Sequence, residues 1–203
     1  MTVRQLRVGS DNFSYLIHDR DTGQAALVDP GMDASKAMGI VRDEGLELRY
    51  VINTHHHSDH SMSNGEVIGE TGARLVASTE DGKRLGKKVD MEVDDGDMLH
   101  LGGVSIRFLK TPGHTPGGIC LIVDDSILII GDTLFIGDCG RCDLPGGSLK
   151  EMFRSLRRLK GLKDDLVVFP GHDYGEKPHD TLGNQKRTSC VLNAESLEDL
   201  SGI

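Results

Sequence analysis

Apolar residues in this chain gather in short runs that stop at Gly-, Pro- or Asp-marked turns, a pattern of strands more often than of helices. Such runs predict strands over residues 4–8, 13–18, 25–28, 48–53 and 74–77, and again over 98–101, 104–109, 118–123, 126–130 and 166–169. Asp124-Asp125 has the length of a two-residue hairpin turn but lacks the usual glycine. The pattern changes at Leu149, Met152, Phe153, Leu156 and Leu159, whose spacing predicts a helix with Ser148 as its N-cap. Further helices are expected from an N-cap at Asp33 to about Glu44, over Asn64 to Glu70, and from 180 to 200 with a frayed end. Residues 79–97, charged and glycine-punctuated, read as surface turns with room for a short helix. The strands fall into two groups with helices interleaved, which fits two sheets packed face to face with helices outside. No linker or internal repeat divides the 203 residues, so a single domain over 1–203 is expected.

Chemistry concentrates where these strands end. Thr54-His-His-His-Ser-Asp-His60 follows the strand of 48–53 and holds His55-x-His57-x-Asp59-His60. His114 lies in Thr111-Pro-Gly-His-Thr-Pro-Gly117, Asp132 in Gly131-Asp-Thr-Leu-Phe135, and His172 in Pro170-Gly-His-Asp-Tyr174, each directly after a strand-like run. Glycine and proline at those turns let the backbone bend sharply and bring a side chain in close. Imidazoles with carboxylates suit a borderline divalent metal, zinc first, with iron or manganese as alternatives. His56 points away from its neighbours if the loop is extended and is left out of the ligand set. His18, His100 and His179 have no partner pattern and read as surface residues.

The order His-x-His-x-Asp-His, then His, Asp and His, resembles the metallo-β-lactamase-fold superfamily over nearly the whole chain. The resemblance implies a four-layer αββα sandwich of two mixed β-sheets with helices on the outer faces. It also implies two metal ions: one on His55, His57 and His114, the other on Asp59, His60 and His172, with Asp132 bridging them. Asp29, in Leu-Val-Asp-Pro-Gly, resembles a residue that orients a ligand from behind; a simple turn aspartate is the alternative reading. Gly131-Asp-Thr-Leu-Phe135 followed by Cys139-Gly-Arg141 looks like the glyoxalase II group, hydrolases of S-acylglutathione thioesters. That group carries a carboxy-terminal helical region that contacts glutathione, whereas only about thirty residues follow His172 here. The expected reaction is attack of a metal-bridging hydroxide on a thioester, lactone or ester, with Asp59 and Asp132 as the catalytic carboxylates. Arg141 and Tyr174 follow ligand-bearing turns and are candidates to face substrate.

A rival of another reaction class shares the fold. Cys139-Gly-Arg-Cys-Asp-Leu144 and Gly171-His-Asp-Tyr174 are similar to persulfide dioxygenases. Those bind one iron through residues matching His55 or His57, His114 and Asp132, and oxidise glutathione persulfide to sulfite. They carry threonine at the place of Cys142 and another residue at that of Thr133, which favours the hydrolase. Asp132 speaks against a dedicated β-lactamase, leaving weak lactamase activity as a lesser alternative. A non-catalytic metal module fits least, because structural zinc closes four positions with Cys and His.

Composition narrows the partners. With 23 Lys and Arg against 32 Asp and Glu, the formal charge of −9 excludes nucleic acid and anionic membrane, and a small-molecule substrate is expected. Assembly into a homo-oligomer is left open. No apolar run reaches the roughly 20 residues of a membrane span, and the amino terminus lacks a signal-peptide core, so the expected location is cytoplasmic. Cys120 and Cys190 read as small buried hydrophobes, and Cys139-x-x-Cys142 as pocket lining with a minor chance of redox sensitivity.

Overall fold

Side chains that alternate about each strand sort the apolar residues of this computed structural model, which describes residues 1–202, into three packed layers. The first sheet is assembled in chain order. Strands β1 (Thr2–Val8), β2 (Asn12–His18) and β3 (Gln24–Val28) form an antiparallel meander. Helix α1 (Ser35–Asp43) then crosses over to β4 (Glu47–Ile52), which pairs parallel with β3. Helices α2 (Ser58–Ser61) and α3 (Asn64–Thr71) lead to β5 (Arg74–Ser78), and α4 (Thr79–Gly82) to β6 (Met91–Val93), both strands again parallel.

The second sheet starts with β7 (Met98–Leu101), β8 (Val104–Lys110), β9 (Ile119–Val123) and β10 (Ile127–Gly131), all antiparallel. After α5 (Leu149–Lys160), β11 (Val167–Pro170) pairs parallel with β10, and the two-residue β12 (Asp180–Thr181) closes the edge. Helices α6 (Leu182–Thr188), α7 (Cys190–Asn193) and α8 (Leu197–Ser201) complete the described chain. Each sheet has six strands, in the orders β1 to β6 and β12 to β7.

The sandwich core is read directly from the alternation. Phe13, Tyr15 and Ile17 of β2 meet Ile106, Phe108 and Leu121 between the sheets. Leu16 and Leu27 turn outward to Ala37, Met38 and Val41 of α1, while Cys120, Ile122 and Leu128 turn outward to Met152, Leu156 and Leu159 of α5. The result is the expected four-layer αββα sandwich. It leaves the ends of β3, β4, β8, β10 and β11 along one edge of the seam.

The structure departs from the sequence pattern at four places. Met91-Glu-Val93 and Asp180-Thr181 are strands, too short among charged neighbours to show a period. Residues 182–201 are three short helices, because Ser189 and Ser196 each accept a hydrogen bond from a backbone N–H and start a new helix. His18 is buried at the end of β2, with neither ring nitrogen hydrogen-bonded among the described residues. Cys190 is exposed, although Cys120 is buried as expected. The Asp124-Asp125 turn holds without glycine: both residues adopt positive φ, +45° and +47°, the conformation a tight hairpin demands. Asp33 accepts from Ser35 N at 2.9 Å, one residue ahead of the geometric cap Ala34.

Candidate metal centre

Four strand ends deliver the seven predicted residues to one place. β4 runs into the loop carrying His55 and His57, whose chain then turns into α2 with Asp59 and His60. β8, β10 and β11 present His114, Asp132 and His172 from the opposite sheet. Among the seven, two groups of potential ligand atoms result, His55/His57/His114 and Asp59/His60/His172, the atoms within each lying within 4.8 Å of one another; a third grouping, Asp29/His55/His60, brings in Asp29 from behind. Asp132 sits between them, 4.0 Å from His55 Nε2 and 3.5 Å from His114 Nε2 on one side. On the other side it is 3.4 Å from His60 Nε2 and 3.3 Å from His172 Nε2. Between the groups' own members, His57 Nδ1 is 2.9 Å from His114 Nε2, and His60 Nε2 is 3.2 Å from His172 Nε2.

Such close approach needs small neighbours. A Cβ on Gly171 would collide with Asp132 Oδ1 and stand 3.0 Å from His60 Cε1, and one on Gly140 would strike the Asp132 carbonyl. Glycine at both positions is therefore what allows the loops to close on Asp132.

The far nitrogens of the imidazoles are tied to the protein, which fixes their tautomers. Asp29 accepts from Thr54 N (2.8 Å) and Thr54 Oγ1 (2.6 Å), and lies 3.2 Å from His60 Nδ1. With its hydroxyl hydrogen spent on Asp29, Thr54 Oγ1 accepts from His55 Nδ1 at 3.1 Å. His114 Nδ1 donates to Arg141 O at 2.7 Å. His55 and His114 thus turn an Nε2 lone pair inward, and His60 does so when it is neutral. Asp29 holds its post with a φ of +47°, a conformation aspartate tolerates better than most residues.

Two atoms identify what is meant to lie inside. His55 Nε2 and Asp132 Oδ1 are buried and have no hydrogen-bond partner among the described residues. Inward lone pairs on acceptors without donors are costly unless a cation meets them. The donor set therefore fits divalent metal. Electrostatics agree: burial pushes His55 well below its ordinary value, and His57 is lowered to about 4 by burial and by His114. Burial opposes protonation of His60 as well, yet Asp132, Asp29 and Asp59 raise it to about 9; His172 rises to about 10 against burial, through Asp132 and Asp59. Both carboxyls, Asp59 and Asp132, are held below the usual range against burial by these histidines.

The centre forms the floor of an open cleft of about 470 Å³, walled by Phe135, Cys139, Leu144 and Tyr174. Tyr174 is exposed and stacks on the His172 ring at 4.7 Å. Arg141 lines the cleft too, but its guanidinium is held by Asp143 through two 2.7 Å hydrogen bonds. His56 turns away, its Nδ1 3.1 Å from Asp81 Oδ2, and joins neither group.

Two supporting residues escaped the sequence reading. Asn12, buried, donates to Asp59 Oδ2 at 2.9 Å. Asp81, also buried, accepts from His56 N (3.1 Å), Thr115 Oγ1 (2.6 Å) and Gly117 N (2.8 Å) and so ties the two ligand loops together. Asn12 lies in a hairpin far along the chain from any ligand, and Asp81 in a charged stretch that reads as surface. Neither leaves a local signal.

The family model of the metallo-beta-lactamase superfamily matches residues 8–172. The chain belongs to the metallo-beta-lactamase superfamily. Within it, the chain is 39% identical over 177 residues to a hydroxyacylglutathione hydrolase of Maricaulis maris, covering 87% of this chain and 68% of that one. A hydroxyacylglutathione hydrolase of Rhodospirillum rubrum is 38% identical over 175 residues, covering 86% and 67%. The chain thus spans about two thirds of the length of these curated relatives. Among solved structures, ETHE1 from Myxococcus xanthus superposes with a TM-score of 0.90 at 32% identity, covering 98% of this chain and 88% of that one. No helix among the described residues of this superfamily member is long and apolar enough to cross a membrane.

Proposed function

We propose that this protein is a glyoxalase II-like hydrolase that cleaves the thioester of a small thiol carrier, S-acylglutathione in kind, at a centre of two zinc ions. The observation that carries the reading is Asp132, set within 3.3–4.0 Å of imidazoles from both ligand groups at the floor of an open cleft. Divalent ions held there supply Lewis acidity, bringing water near its ionisation at neutral pH and drawing charge from a carbonyl oxygen. His55, His57 and His114 would hold one ion, Asp59, His60 and His172 the other, and Asp132 would serve both.

The protein's own groups orient and exclude. Thr54, Asp29 and the Arg141 carbonyl keep three imidazoles in the tautomer that turns a lone pair inward. Asn12 holds Asp59 ionised at the cleft wall, where that carboxylate would accept a hydrogen bond from the attacking water. Ionised Asp59 and Asp132 have no proton to donate to a leaving group. A thiolate, whose conjugate acid has a pKa of about 8.5, departs without one. An amine does not, so the donor set suits a thioester better than an amide.

Metal analysis of purified protein, with S-lactoylglutathione hydrolysis followed alongside, tests the reading. Two zinc ions per chain with thioester turnover is the expected result. The likeness to ETHE1 over nearly its whole chain favours one rival, the mononuclear iron dioxygenase. One iron per chain with oxygen uptake on glutathione persulfide would establish that rival and overturn the hydrolase.

A further inference from the structure

Cations around the metal cleft are mostly engaged. Arg141 is held by Asp143, Arg7 lies 3.1 Å from Asp173, and Lys110 is 2.7 Å from Glu80. The cleft itself is lined by Asp59, Asp132 and Asp138, with Arg141 its only Lys or Arg among the described residues. Lys83, Arg84, Lys87 and Lys88 differ: none has a carboxylate within 4.0 Å among the described residues. These four cations fall within six positions of a chain of formal charge −9.

Two of the four line a hollow of about 380 Å³ beside the metal cleft, with Ser58, Ser61, Asn64 and His56. Among the described residues no carboxylate lines it. Ser58 lines both spaces, so the hollow and the cleft adjoin across the metal loop. Lys87 folds inward over α3: a Cβ on Gly65 would stand 2.7 Å from its Cε and 3.0 Å from its Nζ. Arg84 reaches the other way, its Nη2 3.5 Å from where a Cβ on Gly146 would be, beside the turn that follows the cleft-lining Leu144. Arg84 therefore extends from the hollow towards the cleft rim, while Lys87 stays at the wall of the hollow over α3.

We propose that Arg84 and Lys87 form the subsite for the anionic end of the thiol carrier whose thioester is cleaved in the adjoining cleft. This rests on the thioester reading above. An anion entering a net-negative protein gains most where unpaired cations and hydrogen-bond donors converge without a competing carboxylate. Carboxylates of a peptide thiol and phosphates of a nucleotide thiol share that chemistry.

The test compares the Arg84→Gln/Lys87→Gln double variant with wild type at fixed ionic strength. Lys150→Gln/Arg157→Gln, on the exposed face of α5, is the control for net charge alone. Substrates carry one acyl group on glutathione, on coenzyme A and on uncharged N-acetylcysteamine. Two solvent-screened charge contacts correspond to a roughly three- to thirtyfold rise in KM. That rise is expected for an anionic thioester only, with kcat and metal content retained; its appearance on the glutathione or the coenzyme A arm identifies carboxylate or phosphate. An equal change on the neutral thioester, or in the control, overturns the subsite. If wild type cleaves no thioester, the reaction reading fails by itself. The subsite is then judged by calorimetric titration of S-hexylglutathione and of coenzyme A: weaker binding of either to the double variant supports it, and equal or absent binding overturns it.

Discussion

Replacing Asp81 by alanine separates what holds the fold from what holds the metal. Its carboxylate is 1% exposed and accepts from His56 N, Thr115 Oγ1 and Gly117 N, with His56 Nδ1 also 3.1 Å away. Alanine strands those donors. The Thr115 hydroxyl and Gly117 N–H lie deepest, and a buried donor left unsatisfied costs about 1–3 kcal/mol. His56 is partly exposed and regains water, so the loss in stability is about 3–5 kcal/mol. His56 stands between two predicted ligands and Thr115 next to a third, so losing Asp81 lets their loops part. Support of this kind is worth about 10- to 100-fold in metal affinity. Urea unfolding of the metal-free protein measures the first quantity without metal linkage, and competition against a chelator measures the second. Stability lowered as stated with metal affinity unchanged within twofold would refute the coupling and leave Asp81 a plain core anchor. Burial opposes ionisation of this carboxyl, yet His56, Thr115 and the Gly117 N–H hold it below its ordinary value. Its contribution is therefore full above the unfolded carboxylate value of about 3.9 and disappears as pH falls below it.

Three further outcomes are expected. In metal-free protein His60 and His172, raised to about 9 and 10, hold protons that a metal must displace, so loading near neutral pH should release about one to two protons per chain. The same shifts stabilise the metal-free fold fully below the unfolded histidine value of about 6.5, and that gain fades as pH rises through 9 to 10, while metal affinity climbs over the same window. Calorimetry in buffers of differing ionisation enthalpy reads the release, and heats that ignore the buffer contradict it. Gly171→Ala must displace Asp132 at an overpacking cost of about 1–3 kcal/mol, and should lower metal content in a folded protein; full metal occupancy by elemental analysis would show the cradle to be looser than its geometry. Burial drives the Cys139 and Cys142 thiols up to about 12 and 11, whereas Cys190 is exposed. Thiol labelling near neutral pH should therefore be led by Cys190, and a fast phase that survives Cys190→Ser speaks against this order.

What the chain's pattern disclosed follows from distance along it. β8 to β10 and α5 have long enough periods, and β6 and β12 do not, since three residues or two among charges make no alternation. The ligands were legible because each follows an apolar run, four of them in one His-rich loop and the other three in Gly- or Pro-marked turns. Their supports were not: Asn12 reaches Asp59 across 47 positions, and Asp81 reaches Thr115 across 34. His18 misled for a related reason, because burial at a strand end depends on which element happens to cover it.

The supports that escaped the sequence are those that make one site of two sheets. His55, His57, Asp59 and His60 come from the first sheet, and His114, Asp132 and His172 from the second, so no ligand group belongs to one sheet alone. Each group needs the sheets in register at their common edge. Backbone ties do part of this, with Ile119 N donating to Thr54 O at 2.9 Å and Phe13 N to Gly171 O at 2.8 Å. Asp81 adds to them by reaching Thr115 and Gly117, and Asn12 by a bridge to His172. Metal bound across such a seam favours the joined arrangement over any in which the sheets slide, so metal binding and sandwich stability must rise and fall together. The same linkage explains why Asp132, one carboxylate facing both groups, stands at the end of a central strand of its sheet: only there is its position set by neighbours on both sides.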